Sequence, residues 1–190
     1  MIDTFSSNSL KILDKNLDEF IDKYIYHLSL FKKDKRAQLG DNYHNLICQY
    51  LKGYDISKMR LELNNTKVFD EFLKTINPDK FIKTEYPFLI KDELNKNPYY
   101  LVGRYDAIYQ DNGCIIYDWK TLNIPQDAEF DLQTIVYLYT AYKIFNTQNI
   151  KMRYVSIEKA EYKDIEFKSP LEYKKRIDEI IEKYYNTINC

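Results

Sequence analysis

Two runs rich in aromatic and β-branched residues, YYLVGRYDAIYQ (99–110) and CIIYDWKT (114–121), stand on either side of Asp111-Asn112-Gly113. That pattern predicts a β-hairpin, and its loop decides which side chains share a face. A two-residue Asn-Gly turn pairs Asp111 with Cys114 and sets Asp106 opposite Trp119. A three-residue loop, with Gly113 in the left-handed position, pairs Gln110 with Cys114 and sets Asp106 opposite Asp118. In this second register two acids face each other, and Lys120, two residues beyond Asp118, lies on the same face. Like charges directly opposite destabilise a strand pair. A divalent cation between them reverses the sign, since carboxylate oxygens are preferred ligands of magnesium and manganese. Taken singly, Asp106 reads as the end of a strand and Asp-x-Lys as a solvated ion pair.

The hairpin sits between helical patterns. Leu10, Leu13, Leu17, Phe20, Tyr24 and Leu28 recur at helical spacing after FSSNS, with Ser7 or Ser9 as the cap. A second helix is predicted in DKRAQLGDNYHNLICQYLKG (34–53) and a short third in KVFDEFLKTI (67–76), before Asn77-Pro78. FIKTEYPFLI (81–90) reads as a strand leading into the hairpin. EFDLQTIVYLYTAYKIF (129–145) returns to helical spacing. IKMRYVSI and YKDIEF read as strands, and PLEYKKRIDEIIEKYYN as a terminal amphipathic helix with Pro170 in its first turn. The fold class expected is α/β, with a central mixed β-sheet flanked by helices and an N-terminal helical portion. At 190 residues the chain suits a single domain over 1–190.

Composition narrows the function classes. The net charge of −1 supplies no general basic field for nucleic acid, so any such binding needs a local patch. The basic run FKKDKR (31–36) reads first as a solvated helix face, with a phosphate grip by Lys32, Lys33, Lys35 and Arg36 as the sharper reading. Cys48, Cys114 and Cys190 are odd in number and far apart, which suits a reducing compartment rather than a disulfide framework. The start lacks a secretory pattern and no apolar run spans a membrane, so a cytoplasmic location without membrane partners is expected.

With these elements in place the chain resembles the PD-(D/E)xK nuclease superfamily, in particular its RecB-like branch, from about Phe5 to Tyr142. The residues that carry the resemblance are Gly103-Arg104-Tyr105-Asp106, then Asp118-Trp119-Lys120-Thr121. To these are added Gly40-Asp41-Asn42-Tyr43-His44 on the second helix, Gln133 to Tyr137 on the helix after the hairpin, and the serine-rich Phe5-Ser6-Ser7-Asn8-Ser9-Leu10. The resemblance implies a restriction-endonuclease-like core and a metal-dependent nuclease module acting on DNA, with exonuclease favoured over endonuclease. A catalytically inactive nuclease fold that binds nucleic acid or a protein is the other reading. Many RecB-like nucleases carry an iron–sulfur cluster on four cysteines; the cysteines here do not match that set, so no cluster is expected.

The resemblance also assigns roles. Asp106 and Asp118 would ligate Mg2+ or Mn2+, with His44 and the carbonyl of Trp119 as further ligands. A nitrogen ligand tilts the choice towards manganese. Glu85 would ligate a second metal or hold a metal-bound water, or else is an edge-strand glutamate beside Pro87. Lys120 would orient the attacking water or stabilise charge on the phosphate. Gln133 and Tyr137, neighbours on one helix face, would position Lys120 or the nucleic-acid strand. Arg104, on the face of Asp106, would lie opposite Lys120 and repel it unless a phosphate or Glu85 intervenes.

Overall fold

A computed structural model describes residues 2–28, 35–62, 66–110 and 112–188; at 35–37, 62, 66 and 188 it describes the backbone alone. The basic side chains of the 31–36 run, Asp111 and Cys190 therefore lie outside the described residues.

The architecture is a six-stranded mixed sheet with helices on both faces. In chain order the elements are β1 (Thr4–Ser6), α1 (Ser7–Lys15), α2 (Leu17–Tyr24), α3 (Lys35–Leu51), α4 (Thr66–Leu73), β2 (Phe81–Leu94), β3 (Asn97–Gln110), β4 (Cys114–Lys120), α5 (Leu132–Phe145), β5 (Ile150–Ser156), β6 (Glu161–Glu166) and α6 (Pro170–Ile188). Short 3-10 turns occupy Met59–Glu62 and Pro78–Lys80.

Strand β3 is the hub. β2 runs antiparallel along its whole length, from Phe81 opposite Tyr109 to Leu94 opposite Asn97. The other side of β3 is divided: β1 pairs parallel with Tyr100–Val102, and β4 pairs antiparallel with Ala107–Gln110. Residues 103–106 of β3 pair with neither, which opens a gap in the sheet. β1 and β4 run antiparallel to each other, so their carboxyl ends, Ser6 and Lys120, both head towards this gap. Crevices beyond strand ends at a break in strand order are where open α/β sheets bind ligands.

One core layer packs α1, α2, α5 and α6 on the sheet, through Phe5, Phe20, Tyr99, Tyr105, Val136 and Tyr184. The other packs α3 and α4 through Tyr43, Ile47, Phe69, Phe72, Ala107 and Trp119. Tyr105 and Ile108, three apart, share the first core while Ala107 joins the second, so the simple alternation of β3 breaks beside Asp106.

Several local expectations are corrected. The single helix expected through Leu28 is two, because Asn16 is extended (φ −153, ψ 103) and its side chain caps α2 by accepting the Glu19 N–H at 3.1 Å. The cap of α1 is Ser6 rather than Ser7 or Ser9, with Ser9 closing a capping box. A strand, β1, precedes the helical portion, hidden in sequence by its three-residue length. The hairpin takes the three-residue register, Gln110 opposite Cys114. Gly113 has the positive φ expected of it, 159, while the residue nearest the ideal left-handed helical conformation is Asn112 (φ 50). A Cβ on Gly113 would also sit 2.7 Å from the Asn149 carboxamide. Among the described residues no helix is long and apolar enough to cross a membrane.

Candidate active site

The gap beside β3 opens into a cleft of about 690 Å³, lined from α1, α3, β2, β3 and α5. The β3–β4 ladder continued by one step would set Asp106 against Asp118. Instead the ladder ends at Ala107 opposite Tyr117, and the Asp106 carboxylate takes the Trp119 backbone N–H through Oδ2 at 2.8 Å. Its Oδ1 lies 3.3 Å from Nδ1 of His44. The other ring nitrogen of His44, Nε2, is 2.9 Å from the Trp119 carbonyl oxygen. Tyr43, Leu46 and Ile47 bury their side of α3, which leaves His44 turned to the cleft. The structure therefore brings His44, Asp106 and the Trp119 carbonyl together.

Glu85 joins them by a route the sequence did not show. Its neighbours Thr84 and Tyr86 pair with Ala107 and Tyr105, but Glu85 itself is left-handed (φ 51). Such a backbone is costly for a residue with a Cβ and recurs at functional sites. Ligand atoms of His44, Glu85 and Asp106 all lie within 4.8 Å of one another. Glu85 also forms an ion pair with Arg104, its Oε2 2.8 Å from Nε. Of the two partners the sequence offered Arg104, a phosphate or Glu85, the structure supplies Glu85.

Asp118 stands behind this group and is not among its three members. It is 3% exposed. Its Oδ1 accepts from Nε2 of Gln133 at 2.5 Å, and its Oδ2 lies 2.7 Å from Nζ of Lys120. That second contact is an ion pair without hydrogen-bond alignment, so Oδ2 has charge compensation but no donor. Lys120 donates to Oε1 of Gln133 at 3.1 Å, so Gln133 holds both members of the pair. Tyr137 does not reach Lys120. Its hydroxyl donates to the Arg104 carbonyl at 2.8 Å, in the stretch of β3 left unpaired, and its ring packs edge-on to Tyr105. The Gln-x-x-x-Tyr helix face therefore divides its work between charge pair and strand.

The glycine of Gly103-x-x-Asp106 makes room for an aromatic ring. Phe88 lies directly opposite Gly103, and a Cβ on Gly103 would meet that ring at 2.4 Å.

Electrostatics follow from burial and crowding. Burial opposes charge on His44, but its hydrogen bond to Asp106, the charges of Asp106 and Asp118 and the Trp119 carbonyl prevail and hold its pKa up, at about 9. Burial raises the pKa of Asp118 against the pull of Lys120, and Asp106 adds to the rise. Burial also raises Glu85, against Arg104. The chain has thus crowded three acids around one imidazolium. The donor set of one imidazole, clustered carboxylates and a carbonyl suits a hard or borderline divalent cation.

Comparison with known proteins bears on the fold and the family. The model of the PD-(D/E)XK nuclease superfamily matches residues 17–189. Among solved structures, a protein of Eubacterium rectale provisionally described as an exonuclease superposes with a TM-score of 0.60 at 11% identity, over 98% of this chain and 82% of that one. SSO0001 superposes with a TM-score of 0.54 at 19% identity, over 96% of this chain and 75% of that one. At such identities these likenesses speak for the fold. No curated protein matches significantly in sequence.

Proposed function

Because the chain belongs to the PD-(D/E)XK nuclease superfamily, we propose that it is a Mg2+- or Mn2+-dependent deoxyribonuclease that works from strand ends. The observation that carries the reading is the convergence of His44, Glu85 and Asp106 beside the Asp118–Lys120–Gln133 network, at the mouth of a cleft. His44, Asp106, Glu85 and the Trp119 carbonyl would hold the cation. Asp118 would join them once its carboxylate exchanges the Lys120 ammonium for the metal, and its unaligned Oδ2 is the atom free to do so.

Bound there, the cation would lower the pKa of its water and neutralise the scissile phosphate. Lys120, fixed by Gln133, orients the attacking water or meets charge growing on a phosphate oxygen. The water oxygen bonds to phosphorus as the P–O bond to the leaving sugar breaks. Tyr137 fixes the Arg104 carbonyl and so the strand that carries Asp106. The exonuclease preference rests on the description of the Eubacterium rectale neighbour, and a cytoplasmic site of action on the free Cys48 and Cys114.

The test is degradation of end-labelled linear and covalently closed circular DNA, single-stranded and duplex, with Mn2+, Mg2+ or chelator. Metal-dependent loss of linear DNA with circles spared is expected. Cleavage of circles removes the exonuclease preference. Binding without cleavage under every metal condition points to the inactive-module reading.

A further inference from the structure

The α1 wall of the cleft carries groups that the cleavage centre does not use. Ser6, Ser7 and Asn8 line the cleft where β1 ends and α1 begins. The capping box satisfies two of the first N–H groups of α1: Ser6 N–H donates to Ser9 Oγ at 2.8 Å, and Ser9 N–H to Ser6 Oγ at 3.1 Å. The Asn8 N–H, in the same turn, has no acceptor among the described residues. Ser7 is 8% exposed, and its hydroxyl has no hydrogen-bond partner among the described residues. The residue is buried as a whole, yet its hydroxyl oxygen is not among the fully buried atoms and is reached from the cleft. Here it sits in the wall of an open cleft.

Across the gap, Arg104 is exposed. Its Nε faces Glu85 at 2.8 Å, and none of the hydrogen bonds among the described residues uses its two terminal nitrogens. Acids line the α3 side and the floor of the cleft, as Asp41, Glu85 and Asp106, whereas the α1 wall has none. Free N–H groups and the positive end of a helix dipole favour an anion, and phosphate above all.

We propose that the first turn of α1, through the Ser7 hydroxyl and the Asn8 N–H, forms with Arg104 a phosphate subsite distinct from the cleavage centre. It holds a second phosphate of the strand being cut. The proposal rests on the nuclease reading, and it names what guides the strand in a chain with no general basic field. One phosphate sits among the acids under the cation, and its neighbour sits on α1.

Two substitutions separate this subsite from the fold. Ser7→Ala removes a hydroxyl the fold does not use. Asn8→Asp places an acid in the first turn of a helix, where the dipole favours it. Neither is expected to lower the melting temperature. Both are expected to raise KM for DNA, and Kd measured with Ca2+ in place of the catalytic metal, by about tenfold or more, the worth of a hydrogen bond to a charged group. The kcat at saturation should stay near wild type, because no cleavage group is touched. Arg104→Gln should weaken binding and lower the slope of log Kd against log salt by about one.

Oligonucleotides with a 5′-phosphate, a 3′-phosphate or neither identify the phosphate bound. An equal loss on all three marks an internal diester, and a loss confined to one form marks that end; both support the subsite. Wild-type KM and Kd in Ser7→Ala and Asn8→Asp, or a fall in kcat with KM unchanged, overturn it while leaving the nuclease reading intact. If the wild type neither binds nor cleaves any of these DNAs, the nuclease reading falls and the subsite with it.

Discussion

Asp118 is buried with its two oxygens against Gln133 and Lys120, and burial raises its pKa in spite of the lysine. Removing the lysine therefore does more than delete the cation proposed to act in cleavage. Lys120→Ala leaves a buried carboxylate uncompensated, which costs about 1–3 kcal/mol or more of stability. Cleavage should fall by about 10²–10³, the loss typical when one preorganised donor is withdrawn from a charged transition state. Manganese should restore much of the lost stability by taking up the freed carboxylate. A thermal melt of Lys120→Ala that gains no more from Mn2+ than wild type does would remove Asp118 from the ligand set. His44 makes a second prediction. Its pKa is raised to about 9 from an ordinary 6.5, so the folded protein holds that proton more tightly than the unfolded chain. The stabilisation is full below about pH 6.5 and is lost as pH rises towards 9. Metal must displace the same proton, so Mn2+ affinity should climb by up to about tenfold per pH unit between 6.5 and 9. Titration calorimetry over that range checks it, and His44→Ala should flatten the slope. The ligand types were legible in sequence because acids, a histidine and Asp-x-Lys stood in a telling order. The pairings of Glu85 with Arg104 and of Tyr137 with a carbonyl were not, since they depend on a left-handed glutamate and a break in the sheet.

Among the elements, the β2–β3 hairpin sets the site, and its geometry turns on one pair. Phe88 covers Gly103, lies tilted 4.7 Å from the Tyr105 ring and meets Tyr137 edge-on, so the ring has little room to move. Gly103→Ala should cost about 1–3 kcal/mol through overpacking. Combining it with Phe88→Leu should recover part of that loss, the non-additivity expected of residues in contact. Urea denaturation of the two single variants and the double variant measures the coupling; additive losses would mean the glycine serves the backbone rather than the ring. The hairpin register was readable from Asp111-Asn112-Gly113 because only two loop lengths were reasonable and each fixed a face. The positive φ of Gly113 was readable too, whereas the left-handed Asn112 beside it was not, because asparagine tolerates that conformation without announcing it. The break at Asn16 was invisible for a related reason. Leu13, Leu17 and Phe20 keep helical spacing across it, and a capping asparagine looks like an interior polar residue until the backbone is seen.

At the scale of the whole molecule, the acid cluster ties together parts that fold far apart in sequence. His44 comes from α3, Glu85 from β2, Asp106 from β3 and the Trp119 carbonyl from β4, at the break in the sheet between its two cores. Legible in sequence was the mixed sheet flanked by helices, from the change of period along the chain. The divided side of β3 was not, because a three-residue strand leaves no pattern to read. A cation at this junction binds only the assembled fold, so it must stabilise the whole. At 100 times its Kd, Mn2+ should add about 2.7 kcal/mol, which for a chain of this size raises the melting temperature by about 5–10 °C. Asp106→Asn is the informative comparison. The asparagine oxygen can still accept the Trp119 N–H, so the backbone junction survives while the ligand charge is lost. Its melting temperature should respond to Mn2+ by less than half the wild-type shift. Equal shifts in the two proteins would place the bound ion elsewhere. With net charge −1 the molecule has no field to draw DNA to these acids unaided, and a bound cation would offset much of the negative charge the strand must approach. DNA affinity, measured by anisotropy with Ca2+ and with chelator, should therefore fall with chelator in the wild type and change little in Asp106→Asn.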